Sequence, residues 1–573
     1  MKKLVLIAAL LCAFVVLGWA GGGSSSSAST AARRSQMEGR VKGSLPLSDG
    51  SVTLSVFIGG LGSMVTSFDY ADNDATKKIM DETGIKLDII ASSATDANTR
   101  RNVLLSSGDY PDLFIGNYIG RDFMTYYASQ GIFLPLDDYN PTSYPNIKAL
   151  WDEYPSVYTI IRWNGKIYAL PGINDCEHCV DDTARIFSYM PWLRAYGRPV
   201  TNLAQFTDYL RYVRDNDLNG NGNRNDEVPF MFQATGQRRA ISVFAKMFMP
   251  FVMGDAGFGL AMENGRIVEQ YKDPRFRDAL RAMASLYNER LILPESFTMD
   301  RERVLSLVEA QDPTVAMMVG QHISGMTYGT GERRIDFNLM PVLAGPTGIR
   351  TGANGQPWWP VNLGMFITDK CPDPELAVAF YDYLLRMDVM LATYFGLKGD
   401  AWTDPDPGAV GINGKPALYK YNITWMGPDH RVNMGWAQNG TFGQTVNFRL
   451  GEQAMGFDTV RRWMETGDPS LRAQILANPS YFETHNYLSL EGRRELWLPA
   501  SVFVPPLNMD TNDTARMQDI TTPFNNFMDQ AHAQFIIGER DINNDAHWNT
   551  YIQELDRMGA ADRVNLMQRY IGR

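Results

Sequence analysis

Between Asp217 and Glu227 the chain reads Asp-Leu-Asn-Gly-Asn-Gly-Asn-Arg-Asn-Asp-Glu. Oxygen-bearing side chains recur at alternate positions, Asp217, Asn219 and Asn221. Gly222 then stands sixth, Asn223 seventh, and the pair Asp226-Glu227 closes the segment. A hard cation such as Ca²⁺ takes six to eight oxygens at about 2.3–2.6 Å, and a tight loop delivers them by turning successive side chains and a carbonyl inward. The candidate side-chain ligands are Asp217, Asn219, Asn221, Asp226 and Glu227, with Asn223 giving its backbone carbonyl. The spacing follows an EF-hand loop through the seventh position and then departs, because Val228 stands where that loop has its bidentate Glu. Asn and Gly also build metal-free turns, but a plain turn has no need of acids at both ends. An ion coordinated on all sides has no open position for chemistry, so the predicted role is structural.

Other reactive residues are few. Cys176-Glu-His-Cys179 forms a C-x-x-C, and Cys371 stands apart. In an exported protein a disulfide is the favoured state of Cys176 and Cys179. A zinc site would need further ligands, and only His178 is near. The surroundings are unlike the helix start of a thioredoxin-type redox motif. Cys371 reads as a buried thiol. No zinc-protease helix, nucleophile elbow or phosphate loop is present. The net charge of -11 argues against a nucleic-acid partner, which wants a basic surface. Twelve Trp and 26 Tyr supply flat apolar faces on which sugars could stack, although most such faces serve cores.

At 573 residues the chain exceeds one core and is expected to form at least two domains. Lys2 and Lys3, the apolar run from Leu4 to Leu17, and Gly18-Trp19-Ala20 read as an export signal over 1–20. The run is at the lower edge of what spans a bilayer. Gly21 to Ser27 opens a flexible tether over 21–50. Beyond it, apolar runs predict strands over 52–58, 85–90 and 113–115, and helices over 72–83 and 95–105. Strands alternating with helices make an α/β unit with a mainly parallel sheet, whose ligands sit at the carboxyl ends of strands. Trp163-Asn-Gly-Lys166 is a hairpin signal. A second α/β stretch runs from about 172 to 345, with helices over 202–214 and 274–290 and a strand over 315–319. A strand over 361–368 and a helix ending at Leu385 follow. The remainder is rich in helix and ends in one amphipathic segment over 548–570.

These residues resemble the family 1 extracellular solute-binding proteins of bacterial ABC importers, and within them the large lipoproteins that include the alginate-oligosaccharide-binding proteins. Ser107-Gly-Asp-Tyr-Pro-Asp-Leu113, Asn164-Gly-Lys-Ile-Tyr-Ala-Leu-Pro171, Asn174-Asp175 with the C-x-x-C, Pro191-Trp192-Leu193 and the Asp217–Glu227 loop carry the resemblance in order along the chain. It departs at Ala20, where such lipoproteins have the lipidated Cys, and at Met190-Pro191, where the family often has a charge before Trp192. The resemblance implies an α/β, two-lobe periplasmic-binding-protein type II fold with an interlobe cleft, a hinge and extra C-terminal helices. Lobe 1 would comprise 51–170 plus 362–425, and lobe 2 would comprise 171–361 plus 426–573. The implied function is capture of an oligosaccharide in the cleft and delivery to ABC permease subunits by a monomer outside the cytoplasmic membrane, in the periplasm or on the extracellular face. Structural Ca²⁺ is the implied cofactor, and no catalysis is implied. The missing Cys puts lipid anchoring in question.

Candidate ligand contacts follow from that frame. Asn117 and Tyr118 end a strand of the first lobe, Asn174 and Asp175 follow the first crossing, and Trp358 and Trp359 precede the hinge strand at Val361. Trp436 lies in a Gly/Asn-rich segment. Arg350 or Arg449 could meet a uronate carboxylate, whereas Trp163 and Trp192 read as structural. The rival classes are an exported polysaccharide-degrading enzyme, which would place two carboxylates about 5–10 Å apart across a cleft, and a surface glycan sensor that uses the same fold without transport.

Overall fold

A computed structural model describes residues 44–59, 69–92, 96–116, 120–173, 185–233, 251, 259–320, 323–327, 332–351, 361–412, 414–422, 434–436, 451–452, 457–477 and 481–572. The export signal, most of the tether, Cys176 and Cys179 lie outside these residues.

Among the described residues nine strands build the two larger sheets: β1 (Thr53–Gly59), β2 (Lys86–Ser92), β3 (Leu113–Ile115), β4 (Leu170–Ile173), β5 (Arg185–Tyr189), β6 (Val228–Phe232), β7 (Val315–Gly320), β8 (Phe337–Leu339) and β9 (Val361–Ile367). The first sheet has the order β2-β1-β3-β9-β4, and the second has β8-β5-β7-β6. In the first, β1 pairs in parallel with β2 and β3, as expected of β-α-β units. Strand β9 runs antiparallel to both β3 and β4, with Val361 opposite Ile173. In the second sheet β7 pairs in parallel with β6, and β5 opposes both β7 and β8, so β5 alone is reversed, as β9 is in the first sheet. The reversal has a topological cause, since β5 and β9 are the strands that arrive from the other lobe. The chain passes from lobe 1 to lobe 2 between Ile173 and Arg185, and returns before Val361.

Each sheet anchors its own core. Leu54, Val56, Ile58, Phe114, Phe133, Phe366 and the helix Pro374–Leu384 fill the first. Phe187, Phe230, Met317, Phe206 and Leu280 fill the second, together with Phe524, Met528 and Tyr551 of the C-terminal helices. Strands β5, β6 and β7 are buried at every position, the mark of a sheet covered on both faces. Caps set the helix ends. Asn73 accepts from the N–H groups of Ala75 and Thr76 to start Asp74–Thr83, and left-handed Gly84 ends it. Asn202 and Asp373 start Leu203–Asp215 and Pro374–Leu384 in the same way.

Two expectations change. The terminal amphipathic segment is two helices, Asp545–Arg557 and Ala560–Gln568, broken where Gly559 takes φ +93°. The assignment of residues past 425 to lobe 2 fails for Met434 and Trp436, which pack into clusters of lobe 1. The first crossing also begins after Ile173 rather than at 171, because β4 belongs to the first sheet.

The C-terminal helices belong to lobe 2 and touch lobe 1. Thr511–Ile537 packs on Pro274–Asn288 and also meets Arg121–Ser129. Arg121 donates to the carbonyls of Leu507 and Arg162 and, at 2.6 Å, to Asn508 Oδ1. A buried ion pair, Arg563 to Glu269 at 2.5 Å, fixes the last helix to the hairpin Leu260–Glu269.

Candidate functional site

The Asp217–Glu227 loop joins the helix Leu203–Asp215 to β6, so both of its ends are held by the lobe 2 core. Left-handed Gly220 (φ +74°) and Gly222 (φ +87°) let it turn tightly. Asp217 accepts from Gly220 N at 2.8 Å and from Gly222 N at 2.9 Å. Asn219 and Asn221 each accept from the backbone N–H two residues on, at 3.0 and 2.8 Å. Their amide groups donate to Asp226 Oδ2, at 3.4 and 2.7 Å. Rotating either amide by half a turn would put an oxygen where the donor now stands. Glu227 Oε1 accepts from Leu218 N at 2.8 Å.

Two oxygens complete the picture. Asp226 Oδ1 and Glu227 Oε2 are buried without a hydrogen-bond partner. A buried unpartnered acceptor costs about 1–3 kcal/mol, more when charged. Burial pushes the Glu227 carboxyl above its ordinary value, against the bonds from Leu218 and Asn219 and with the help of Asp226. Among the described residues no group of three or more His, Cys, Asp and Glu is gathered as a metal site. Asp217 is turned onto the N–H groups of Gly220 and Gly222, and the Asn219 and Asn221 amides are turned onto Asp226. The donor set still fits a hard cation, because every candidate ligand is an oxygen and two of those oxygens have no other partner.

Of the candidate ligand contacts, Asn117, Tyr118, Asn174, Asp175, Trp358 and Trp359 lie outside the described residues, as does Arg449. Their neighbours in the chain are described. Asn117 follows Gly116, whose N–H donates to Gly364 O at 3.0 Å. Asn174 follows Ile173, and Trp359 comes two residues before Val361, the partner of Ile173 in register. Trp436 is a correction. It is 1 % exposed, its indole N–H donates to Thr76 Oγ1 at 2.8 Å, and its backbone N–H binds Thr393 O. No ring face is open to a sugar. Its signal in the sequence, a Trp amid Gly and Asn, does not separate a core residue from a binding wall. Trp163 and Trp192 are buried, as expected. Arg350 is exposed and donates to Val342 O.

Residue-type reasoning passed over Ser92 and Arg101. Ser92 ends β2, and its hydroxyl is buried without a partner. The Arg101 guanidinium carbon lies 4.1 Å from the centre of the Phe123 ring, and its Nε is likewise buried and unpartnered. Burial lowers its guanidinium below the usual range. Ser92 lies at the carboxyl end of a parallel strand, the edge where open α/β sheets bind ligands, and Arg101 stands in the helix Ala97–Ser107 that follows it. Position along the strand, rather than residue type, is the signal that finds them.

No protein-family model matches the chain. The fructooligosaccharide ABC transporter substrate-binding protein FusA of Streptococcus pneumoniae serotype 4 is 22% identical over 514 residues, covering 86% of each chain. The structure of a FusA EF-hand mutant in complex with fructo-nystose covers 91% of this chain and 98% of that one, at TM-score 0.69 and 19% identity. An HMO-binding, ABC-transporter-associated solute-binding protein from Bifidobacterium longum infantis covers 91% and 99% at TM-score 0.70 and 16% identity. The alginate-binding protein AlgQ2 without calcium ion covers 92% and 99% at TM-score 0.62 and 19% identity. These likenesses extend over nearly the whole of each chain, and they establish the fold: two α/β lobes in the arrangement of ABC-transporter solute-binding proteins.

Proposed function

We propose that this protein captures an oligosaccharide between its lobes, leaves it unaltered, and delivers it to the permease of an ABC importer outside the cytoplasmic membrane. The observation that carries this reading is the pairing of two α/β lobes, joined by strands β4, β5 and β9, with the fold of a protein complexed with fructo-nystose, an HMO-binding protein and an alginate-binding protein. Closure of such lobes on a ligand is a hinge motion about the crossings.

Asn117, Tyr118, Asn174, Asp175, Trp358 and Trp359 are the proposed contacts. The amides and carboxylate would hydrogen-bond sugar hydroxyls, and the Trp pair would take a C–H face of the ring. In the sequence Asn174 and Asp175 follow β4 and Trp358 and Trp359 precede β9, where the chain leaves and re-enters the first sheet, while Asn117 and Tyr118 follow β3. Asp217, Asn219, Asn221, Asn223, Asp226 and Glu227 would hold a Ca²⁺ ion. The ion would neutralise the loop's carboxylates and tie the end of Leu203–Asp215 to the start of β6. Its place in lobe 2, within the loop between two core elements, suits a staple. Cys176 and Cys179 are proposed to form a disulfide. A thermal-shift screen against defined oligosaccharides tests the reading, because a ligand of the folded state raises the melting temperature. Any glycan whose chain is shortened on incubation contradicts it.

A further inference from the structure

Residues 504–510, Val-Pro-Pro-Leu-Asn-Met-Asp, run between two anchors in lobe 2 and form no helix or strand. Before them Val502 and Phe503 sit in the lobe 2 core. After them Asp510 caps the helix Thr511–Ile537, accepting from Asp513 N at 2.9 Å. Pro505 and Pro506 have fixed φ angles, which stiffens this strap.

The two lobes grip the strap differently. On the lobe 2 side Met509 is buried with Met517 and Leu566, and Leu507 packs against the same cluster. Tyr570 closes that grip. Its hydroxyl stands 2.7 Å from both Asp510 Oδ2 and Asp513 Oδ2, and it accepts from Asp510 N at 3.2 Å. Burial, helped by the two carboxylates, pushes the hydroxyl up to about 12, so it keeps the proton it donates. Arg569 pairs with Asp513 at 2.9 Å. On the lobe 1 side, among the described residues, the strap is held by side-chain hydrogen bonds. Arg121 donates to the Leu507 carbonyl and to Asn508 Oδ1, and the Trp163 indole donates to the Met509 carbonyl at 3.0 Å.

Three successive residues of a stiff segment are thus fastened to lobe 1. A hydrogen bond weakens steeply once its length and angle leave a narrow range, so rotation of lobe 1 about the crossings would open these bonds. Lobe 2 would keep the strap, through chain continuity at both ends and the burial of Met509. We propose that residues 504–510 form a latch: they travel with lobe 2, hold Arg121 and Trp163 of lobe 1 in the resting arrangement, and let go when the lobes rotate. Such a latch acts whatever the cleft binds.

Fluorine NMR of the full, unliganded chain labelled with 5-fluorotryptophan tests this. Trp163→Phe deletes one signal and so assigns the Trp163 resonance. Asn508→Ala removes an exposed side chain that bonds Arg121 and leaves the Trp163 bond itself intact. In a latch the bonds let go together, so Asn508→Ala should raise the population of a second, released Trp163 signal about fivefold, the worth of one ordinary hydrogen bond. Small-angle scattering should broaden in the same variant. Arg121→Gln, which alters the other partner of the same bond, should repeat both changes. A local structural role for Asn508 would lower the melting temperature and leave the Trp163 signal where it is. A Trp163 signal indifferent to both variants, or a released signal that grows while scattering stays identical, would overturn the proposal.

Discussion

The indole nitrogen of Trp163 donates to the carbonyl of Met509 at 3.0 Å, joining the two lobes outside their chain crossings. Trp163 belongs to the hairpin that leads into β4, and Met509 to the strap before Thr511–Ile537. Arg121 binds the same strap through Leu507 and Asn508. Burial draws its guanidinium down to about 10, with Asp122 opposing. Trp163→Phe should cost about 1 kcal/mol of stability, and Arg121→Ala about 1.5–3, since the second removes bonds to a charged group. Small-angle scattering of the unliganded protein should show a broader spread of lobe arrangements for Arg121→Ala than for wild type. Identical scattering curves would mean that the strap does not restrain the lobes.

Calcium should act through the loop. Saturation at a hundredfold excess over Kd stabilises by about 2.7 kcal/mol, and chelation should remove that gain. Asp226→Asn and Glu227→Gln should each abolish most of it. The pH dependence has a definite sign. Burial raises the Glu227 pKa in the folded state, so the metal-free fold holds this proton more tightly than the unfolded chain does. Metal-free stability from this group therefore falls as pH rises from the ordinary carboxylate value through the raised one. With calcium present the trend reverses, because the ion needs the ionised carboxylate. Melting curves against pH, with calcium and with chelator, should diverge as pH rises and converge in acid.

Two buried histidines set an acid limit. Burial lowers His485 to about 4 and His532 to about 3, and Arg334 adds to the effect at His485. The unfolded chain takes up these protons near pH 6.5 and the folded one does not, so stability is lost as pH falls from about 6.5 toward those values. His532→Phe should flatten the slope of melting temperature in that window. An unchanged slope would show that His532 is not buried uncharged.

Trp436→Phe should lower stability, through loss of the bond to Thr76 and of core volume, and leave oligosaccharide affinity unchanged. Gly364→Ala should do more. A Cβ at Gly364 would come within 2.8 Å of Gly172 N, where β9 and β4 shift register between Leu363 and Met365. Backbone must move, and it must do so beside both crossings. A drop in both melting temperature and ligand affinity is expected, measured by calorimetry. If Trp436→Phe weakened the ligand instead, the ring would have to be within reach of the cleft.

What could be read in the sequence follows from how local each signal is. The run Leu113–Ile115 is apolar and bounded by Pro111-Asp112 and Gly116, and the strand forms there as expected. Trp163-Asn-Gly-Lys166 turns as its Asn-Gly demands, with φ +48° and +77° at the two central residues. The loop at 217–227 declared its oxygens by spacing alone. Less local features stayed hidden. Strand β5 opens on Arg185, which is buried beside Gly320 at the end of β7, and β8 has only three residues. The helix Thr511–Ile537 contains Pro523 and a polar first half, and it is held by packing on Pro274–Asn288 rather than by propensity. Trp436 needed the partner Thr76, 360 residues away, to be recognised as core.

Native mass spectrometry of the protein with a mixture of defined oligosaccharides tests the central claim most directly, since one spectrum reports both capture and the mass of what is captured. The account predicts a complex of one protein with one intact oligosaccharide, unchanged after prolonged incubation. Complexes carrying only shortened sugars, free fragments accumulating with time, or no complex with any glycan would contradict it.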